Sequence, residues 1–442
     1  MTAFMGMIGT GDWADNQVPE SWAQYIMHEY PNGSAPMFAM QGMFKEEQVD
    51  SHTFHWWTKT TPVQAGAVTS VYIDSGLVTE YVYASHQSAN GIAGQVVYAK
   101  VAEALAKEFR KGHNVRLRDS DQITADVYGR VVDVLYDGSN SYVAVKLREA
   151  DDNHTSSSTY NLSTVDRILI TSSSFSDASA APSSITYLAT EYSNYIQVFR
   201  NTMELGLIAK ATSLRTGDAY LEEKRQCGEL HSIEMEKSGF WGKKFTGTDD
   251  NGQPIYETQG LIDFVTTNAS SNVVDFRNAT DAAYSGKTWL QAGKKFLNTY
   301  IMQLARYLTG GECIAFCGDA ALLAINDLAE AYGDISLTTK QKDYGIEVTE
   351  WHIPGMRVNL KTHPLFSHET THQNMMVLLH PRNVKFAPLV GGGENFHTKY
   401  QMDLQVPGVL GKHEGYLTVG GWKFYFPNQF MVMYGVGQDN VN

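Results

Sequence analysis

Residues 216–241 read TGDAYLEEKRQCGELHSIEMEKSGFW. The segment contains no proline and carries charges of both signs, which predicts one long helix over Thr216 to Trp241. Its apolar positions are few. Tyr220, Cys227 and Leu230 share one face while Leu221 and Met235 fall on others, so no wide core stripe is available. Glu222 with Arg225 and Glu234 with Lys237 stand three apart, spaced to pair along the surface. A helix this polar either borders solvent or lies between subunits, where polar contacts choose the register. In the second case Glu222, Arg225, Glu234 and Lys237 are the candidate interface residues.

Upstream, Tyr195 to Leu205 reads as a strand, and Thr171 to Ser184, rich in Ser, Ala and Asp with Pro182, reads as a linker. Before the linker come a helical patch, Val101 to Phe109, and then NVRLRD, GRVVDVLYDG and YVAVKLREA, three short strands parted by polar turns such as Asp137-Gly138. Residues 101–170 therefore predict a small β-barrel or sandwich inserted in the chain. Between His52 and Ala84, the segments HTFHWWTKT, AVTSVYI and LVTEYVYA alternate apolar and polar side chains and read as strands. Residues 1–50 show no sustained period, as in GMIGTGDWADNQVPESW, and predict an extended arm rather than a packed domain.

Downstream the chain reads as α/β. Phe296, Leu297, Tyr300, Ile301, Leu304 and Leu308 fall at helical spacing and stop at Gly310-Gly311. A buried strand at Cys313 to Cys317 follows, with Gly318-Asp319 as turn and N-cap. Ala321, Leu322, Ile325, Leu328, Ala329 and Tyr332 then share one face of a second helix. IEVTEWHI, RVNLKTH, MMVLLH, VKFAPLV, YLTVGGWKFYF and FMVMYGV read as strands. A mixed sheet flanked by two helices is the economical packing.

A chain of 442 residues has room for two or three domains, and 43% apolar against 19% charged residues is the balance of an ordered globular protein. The net charge of -14, with no dense run of Lys and Arg, speaks against sequence-specific nucleic-acid binding. A negative inner wall would instead let an enclosed nucleic acid slide. Three cysteines, an odd number, indicate no disulfide framework. No segment reaches about 18 unbroken apolar residues, and Met1 to Trp13 has neither a basic residue nor a long apolar core. Membrane insertion and export are therefore not expected, and the expected compartment is the cytoplasm.

Catalytic and metal motifs fail on inspection. His363, His368, His372 and His380 lie close together and imidazole ligates zinc, but Pro364, Ser367 and two Thr residues predict a loop, and no HExxH pattern is present. Gly286-Lys287-Thr288 resembles the end of a phosphate-binding loop, yet Asp281 occupies the required upstream glycine position. Gly391-Gly392-Gly393 precedes an anion, Glu394, and reads as a flexible loop. Cys313 and Cys317 point to one face of a strand as small core residues, and Asp249-Asp250 sits in a turn-like stretch. Neither catalytic residues nor a cofactor or metal is expected. One rival reading is a β-rich carbohydrate-binding surface protein using Trp56, Trp57 and Trp351 as stacking platforms. A weaker one is a metallohydrolase built on the histidines.

The ordered set NYIQVFRNTMEL, LRTGDAYLEEKRQCGELHSIEMEKSGFWGKK, ECIAFCGDAALLAINDLA and DYGIEVTEWHIPGMRVNLKTHPLFS, spanning about residues 190–380, resembles the major capsid proteins of tailed bacteriophages. The resemblance implies an α+β subunit of the Hong Kong 97-type capsid fold. Its N-terminal arm would be residues 1–50, and its extended β-loop residues 51–206 with the inserted β-module at 101–170. A peripheral domain at 207–287 would carry the spine helix, 216–241, and an axial α/β domain with return strands would occupy 288–442. It also implies self-assembly into hexamers and pentamers of an icosahedral virion head, put together in host cytoplasm around double-stranded DNA that is touched without sequence preference. Partners would be a portal protein, a separate scaffolding protein and a decoration protein. Relatives often place an acidic-Gly-Ala sequence where this chain has DASAAPSSITY.

Overall fold

The computed structural model describes residues 35–41, 47–60, 62–121, 126–151, 161–177, 179–212, 218–308, 312–332, 337–343, 346–353 and 356–440. They divide into two compact units: Lys59–Thr190, and the described parts of Met1–Thr58 with Glu191–Asn442.

The unit Lys59–Thr190 is a closed antiparallel barrel. Around it run Ala65–Tyr72, Val96–Val101, Tyr142–Leu147, Asp126–Leu135, His113–Arg118 and Arg167–Ser173, and the last strand pairs back onto the first. Alternate side chains, among them Val97, Ala99, Val101, Val115, Leu117, Val143, Val145 and Ile168, fill its interior. The barrel takes in two strands ahead of residue 101 and extends to Ser173, into the expected linker. Closure requires a partner for each edge, and local pattern does not show partners. LVTEYVYA is not a strand: the Asp74 carboxylate accepts the amides of Val78 and Thr79 at 3.0 and 2.6 Å, Leu77 takes a left-handed φ of 52°, and Tyr83–His86 is a short helix. This is Asx-turn chemistry overriding β propensity. The helical patch shortens to Glu103–Ala106.

The other unit is built on a seven-stranded mixed sheet in the order Val273–Asp275, Met431–Tyr434, Met376–Leu379, Glu312–Cys317, Met356–Thr362, Ile346–Ile353, Leu337–Asp343. Its central strands bury both faces. Cys313, Ala315, Cys317, Met376 and Leu378 face a core shared with the helices Trp289–Ala305 and Asp319–Tyr332. Ile314, Phe316, Val377 and Leu379 face the opposite way, into a core with Phe240, Phe366 and Trp422. The expected helix stop at Gly310-Gly311 lies outside the described residues.

A long antiparallel ribbon, Gln197–Gly206 on Gly411–Phe424, registers from Gln197↔Gly420 to Gly206↔Gly411. Val384–Pro388 and Lys399–Gln401 extend it, and the helix Ala219–Trp241 packs on Gln197–Gly206. Residues 384–424 thus join the layer of the long helix rather than the seven-stranded sheet. The strands so paired lie 205 to 223 positions apart, about half of the chain. The helix begins at Ala219 with Asp218 as N-cap, its carboxylate accepting Tyr220 N–H at 2.9 Å.

Part of the expected arm, residues 1–50, is described. Pro36–Gln41 is a helix whose Met37 and Met40 are buried beside Phe54, Trp56 and Phe240, and Val49 bridges to Leu389. Residues 1–34 lie outside the described residues.

Candidate assembly surface

Polar groups do much of the work of holding the long helix down. Its buried positions are Cys227, His231, Met235, Glu236, Gly239 and Phe240, which follow helical periodicity without forming an apolar stripe. Leu221 and Leu230 are exposed and Met235 is fully buried, so the inward face is not the one its leucines would select.

Three buried knots tie this face down. At the amino-terminal end, Tyr220 Oη donates to Glu414 Oε2 at 2.6 Å, Tyr400 Oη donates to the same oxygen, and Lys412 Nζ reaches Oε1 at 3.0 Å. Burial raises the Glu414 pKa, but these three donors outweigh it and hold the carboxyl at about 2. Lys224 Nζ lies over the Tyr400 ring, 3.9 Å from its centroid. In the middle, the His231 ring nitrogens lie 2.7 Å from Asn201 Oδ1 and 2.7 Å from Thr418 Oγ1, and burial lowers its pKa. Near the carboxyl-terminal end, the fully buried Glu236 accepts the amides of Met37 at 2.8 Å and Phe38 at 2.7 Å, and lies 2.8 Å from His363 Nε2. His363 Nδ1 accepts Leu365 N–H, so Nε2 carries the proton and donates to Glu236.

The four expected interface residues are on this helix, and of them Glu234 touches the middle knot through Asn201. Arg225 Nε pairs with Glu229, four residues on, at 3.1 Å, and Glu234 Oε1 accepts from Asn201 Nδ2 at 2.8 Å. Glu222 is half-buried, and Lys237 borders a groove with Trp241, Leu365, His368, Glu369 and His372. Sequence reasoning missed Glu236, His231 and Glu414. For the first two, their spacing from Cys227 and Phe240 was the available signal. Glu414 offered none, since the strand read from the sequence as YLTVGGWKFYF begins after it and only the structure extends that strand to Gly411–Phe424.

The other candidates resolve into structural roles. His363 caps the short helix Pro364–His368, a helix where a loop was expected, and among the described residues no three His, Cys, Asp or Glu side chains are placed to hold a metal ion. Thr288 and Gln291 form a capping box and Lys287 Nζ donates to Ala283 O, so Gly286-Lys287-Thr288 starts a helix. Gly392 and Gly393, both at positive φ, turn the hairpin between Val390–Gly391 and Glu394–Asn395. Burial pushes the Cys313 and Cys317 thiols up. Trp56 and Trp351 are core residues, which leaves only Trp57, 62% exposed, of the supposed carbohydrate platforms.

The far end of the ribbon differs from the rest of this surface. Beyond the Gly206↔Gly411 pair, the helix Leu207–Ala211 and the loop before Gly411 expose Leu207, Ile208, Met402, Val406, Val409 and Leu410, with Ile208 at 83% and Leu410 at 80%. Leu205, Gly206, Val406, Val409 and Leu410 line a groove of about 240 Å³ there. Apolar exposure this concentrated marks a surface made to be covered.

Comparison with known proteins gives the context. A family model described as SU10 major capsid protein matches residues 7–435. The major capsid protein of Pseudomonas phage PaMx41 is 24% identical over 412 residues, covering 89% of this chain and 87% of that one. Among solved structures, the holo-SrpI encapsulin complex from Synechococcus elongatus PCC 7942 matches with a TM-score of 0.39 and 11% identity, over 58% of this chain and 78% of that one. The capsid of Myoviridae phage XM1 matches with a TM-score of 0.34 and 14% identity, over 59% and 80%.

Proposed function

We propose that this chain, which belongs to the SU10 major capsid protein family and is a major capsid protein of a phage, closes as hexamers and pentamers into an icosahedral shell around double-stranded DNA. The observation that carries the proposal is the reach of the family match. It runs from residue 7 to residue 435, nearly the whole of the chain.

We assign the subunit the Hong Kong 97-type layout. The ribbon and the helix Ala219–Trp241 form its peripheral layer, and the seven-stranded sheet its axial layer. The barrel is an elaboration of the extended loop. The chain's work is noncovalent and needs no catalytic group: each contact between copies is modest, and symmetry repeats it. The net charge of -14 suits a wall against which DNA phosphates slide. The shell is put together in host cytoplasm with a portal, a separate scaffolding protein and a decoration protein as partners. Arg225 and Lys237, exposed on the long helix, contribute to the choice of neighbour together with Glu222 and Glu234.

Electron microscopy of the expressed chain, alone and with its phage's scaffolding protein, tests the proposal. Closed shells, tubes or hexameric rings are expected, and strictly monomeric particles at high concentration under both conditions would refute it.

A further inference from the structure

We infer that the apolar end of the ribbon is a contact between copies of this chain, in which Ile208 of one copy seats in the groove beside Val409 and Leu410 of another. The inference rests on the shell-forming reading above and names the partner and the residues of one of its contacts.

One subunit carries both the knob and the socket. Ile208 stands almost free of its own subunit on the short helix Leu207–Ala211. The groove lined by Leu205, Val406, Val409 and Leu410 opens beside the same Gly206↔Gly411 pair from which that helix departs. When knob and socket lie side by side on one surface, a second copy satisfies both by rotation about an axis passing close to them. The contact then closes on itself instead of running on as a filament.

The charges around the patch favour the same occupant. Glu204 and Asp403 supply negative side chains and Lys210 a positive one, Lys412 is already bound to Glu414, and Glu204 lies 3.5 Å from His413. A rim of both signs can be neutralised by a copy of itself. A polyanion such as DNA would meet the acids, and a partner of one sign throughout would meet like charge on part of the rim. An apolar centre with a polar rim is also the ordinary anatomy of a protein–protein contact.

Cross-linking between two singly substituted chains tests this. Cys227, Cys313 and Cys317 are all buried, so an introduced surface thiol is the reactive one. I208C and V409C chains are mixed in equal amounts, assembled, and treated with a short bismaleimide. Cross-linked dimer is expected to be enriched by about tenfold or more over the unassembled mixture, because assembly raises the local concentration of the pair. The I208D and L410D chains, altered only at exposed positions, are expected to keep the unfolding midpoint of the parent while their particle yield falls by about tenfold or more.

If the parent chain forms shells while the mixed chains show no such enrichment, or while I208D and L410D assemble like the parent, the contact is refuted and the shell reading stands. A thiol at 410 that stays open to maleimide in finished particles would likewise place the tip against solvent or another protein. If the parent chain forms no particles even with its scaffolding protein, the shell reading fails and this contact with it.

Discussion

His363 donates Nε2–H to Glu236 Oε1 across 2.8 Å, between two side chains fully sealed from solvent and 127 positions apart in the chain. The same carboxylate takes the two free amides at the start of the helix Pro36–Gln41, so one side chain joins three segments. Glu236→Ala strands both amides and the imidazole. It is expected to cost about 3 kcal/mol or more, by analogy with breaking a buried charged network. Urea unfolding of the unassembled subunit measures it, and a loss under about 0.5 kcal/mol, the usual scale of a surface change, would show that the knot is not a structural anchor.

Truncation should separate two parts of the amino-terminal region. A chain starting at Ala35 keeps the helix Pro36–Gln41, its bonds to Glu236 and the burial of Met37, Met40 and Val49, and is expected to unfold cooperatively. A chain starting at Ser51 loses Met37, Met40 and Val49 from the core, at roughly 2–5 kcal/mol for each large side chain. Its midpoint should fall sharply, and equal midpoints would contradict the packing of that helix.

Acid should loosen the long helix in two windows. The His231 pKa is lowered in the fold, while the unfolded chain takes up a proton near 6.5, so its contribution declines as pH falls below 6.5. Glu414 is held at about 2 against an ordinary 4.5, so its contribution is complete above 4.5 and is lost as pH falls from there through 2. Urea midpoints measured against pH should show both declines. His231→Gln should flatten the first and Glu414→Gln the second, and unchanged profiles would count against both assignments.

Gly242 ends the helix where two backbones nearly touch. A Cβ there would stand 2.5 Å from Ser238 O and 2.6 Å from Thr258 O, and Gly260 N–H donates to Gly242 O at 2.8 Å. Gly242→Ala is expected to cost about 1–3 kcal/mol, the range for forced overpacking. Calorimetry would register it as a lowered Tm.

The barrel has its own closed sheet and its own core, so residues 59–190 expressed alone should unfold cooperatively. Chemical denaturation monitored by far-ultraviolet circular dichroism checks this, and a gradual, non-sigmoidal loss of signal would contradict it.

The parts of the fold legible in the sequence were those with local causes. IEVTEWHI became the strand Ile346–Ile353 because alternation and β-branching are read within a few residues, and the helix ending at Trp241 was visible from its unbroken, proline-free run. The ribbon was not legible, since nothing near Gln197 announces a partner at Gly420. The candidate site was the least legible part. Glu222, Arg225, Glu234 and Lys237 look like interface residues for the same reason that Glu236 looks like a surface residue: a charged side chain on a charged helix does not reveal where it points. Burying Glu236 required His363 and two amides from Met37 and Phe38, which only the folded chain brings together.

The strands Thr53–Thr58 and Thr190–Tyr195 are hydrogen-bonded neighbours, and the whole barrel is threaded between them. The polypeptide therefore departs and comes back through one narrow doorway, and whatever is spliced there asks only that its two ends lie a strand's width apart. Such a doorway lets evolution, or a protein engineer, exchange the barrel for an enzyme, an epitope or a short hairpin while the host scaffold keeps its own hydrogen bonds.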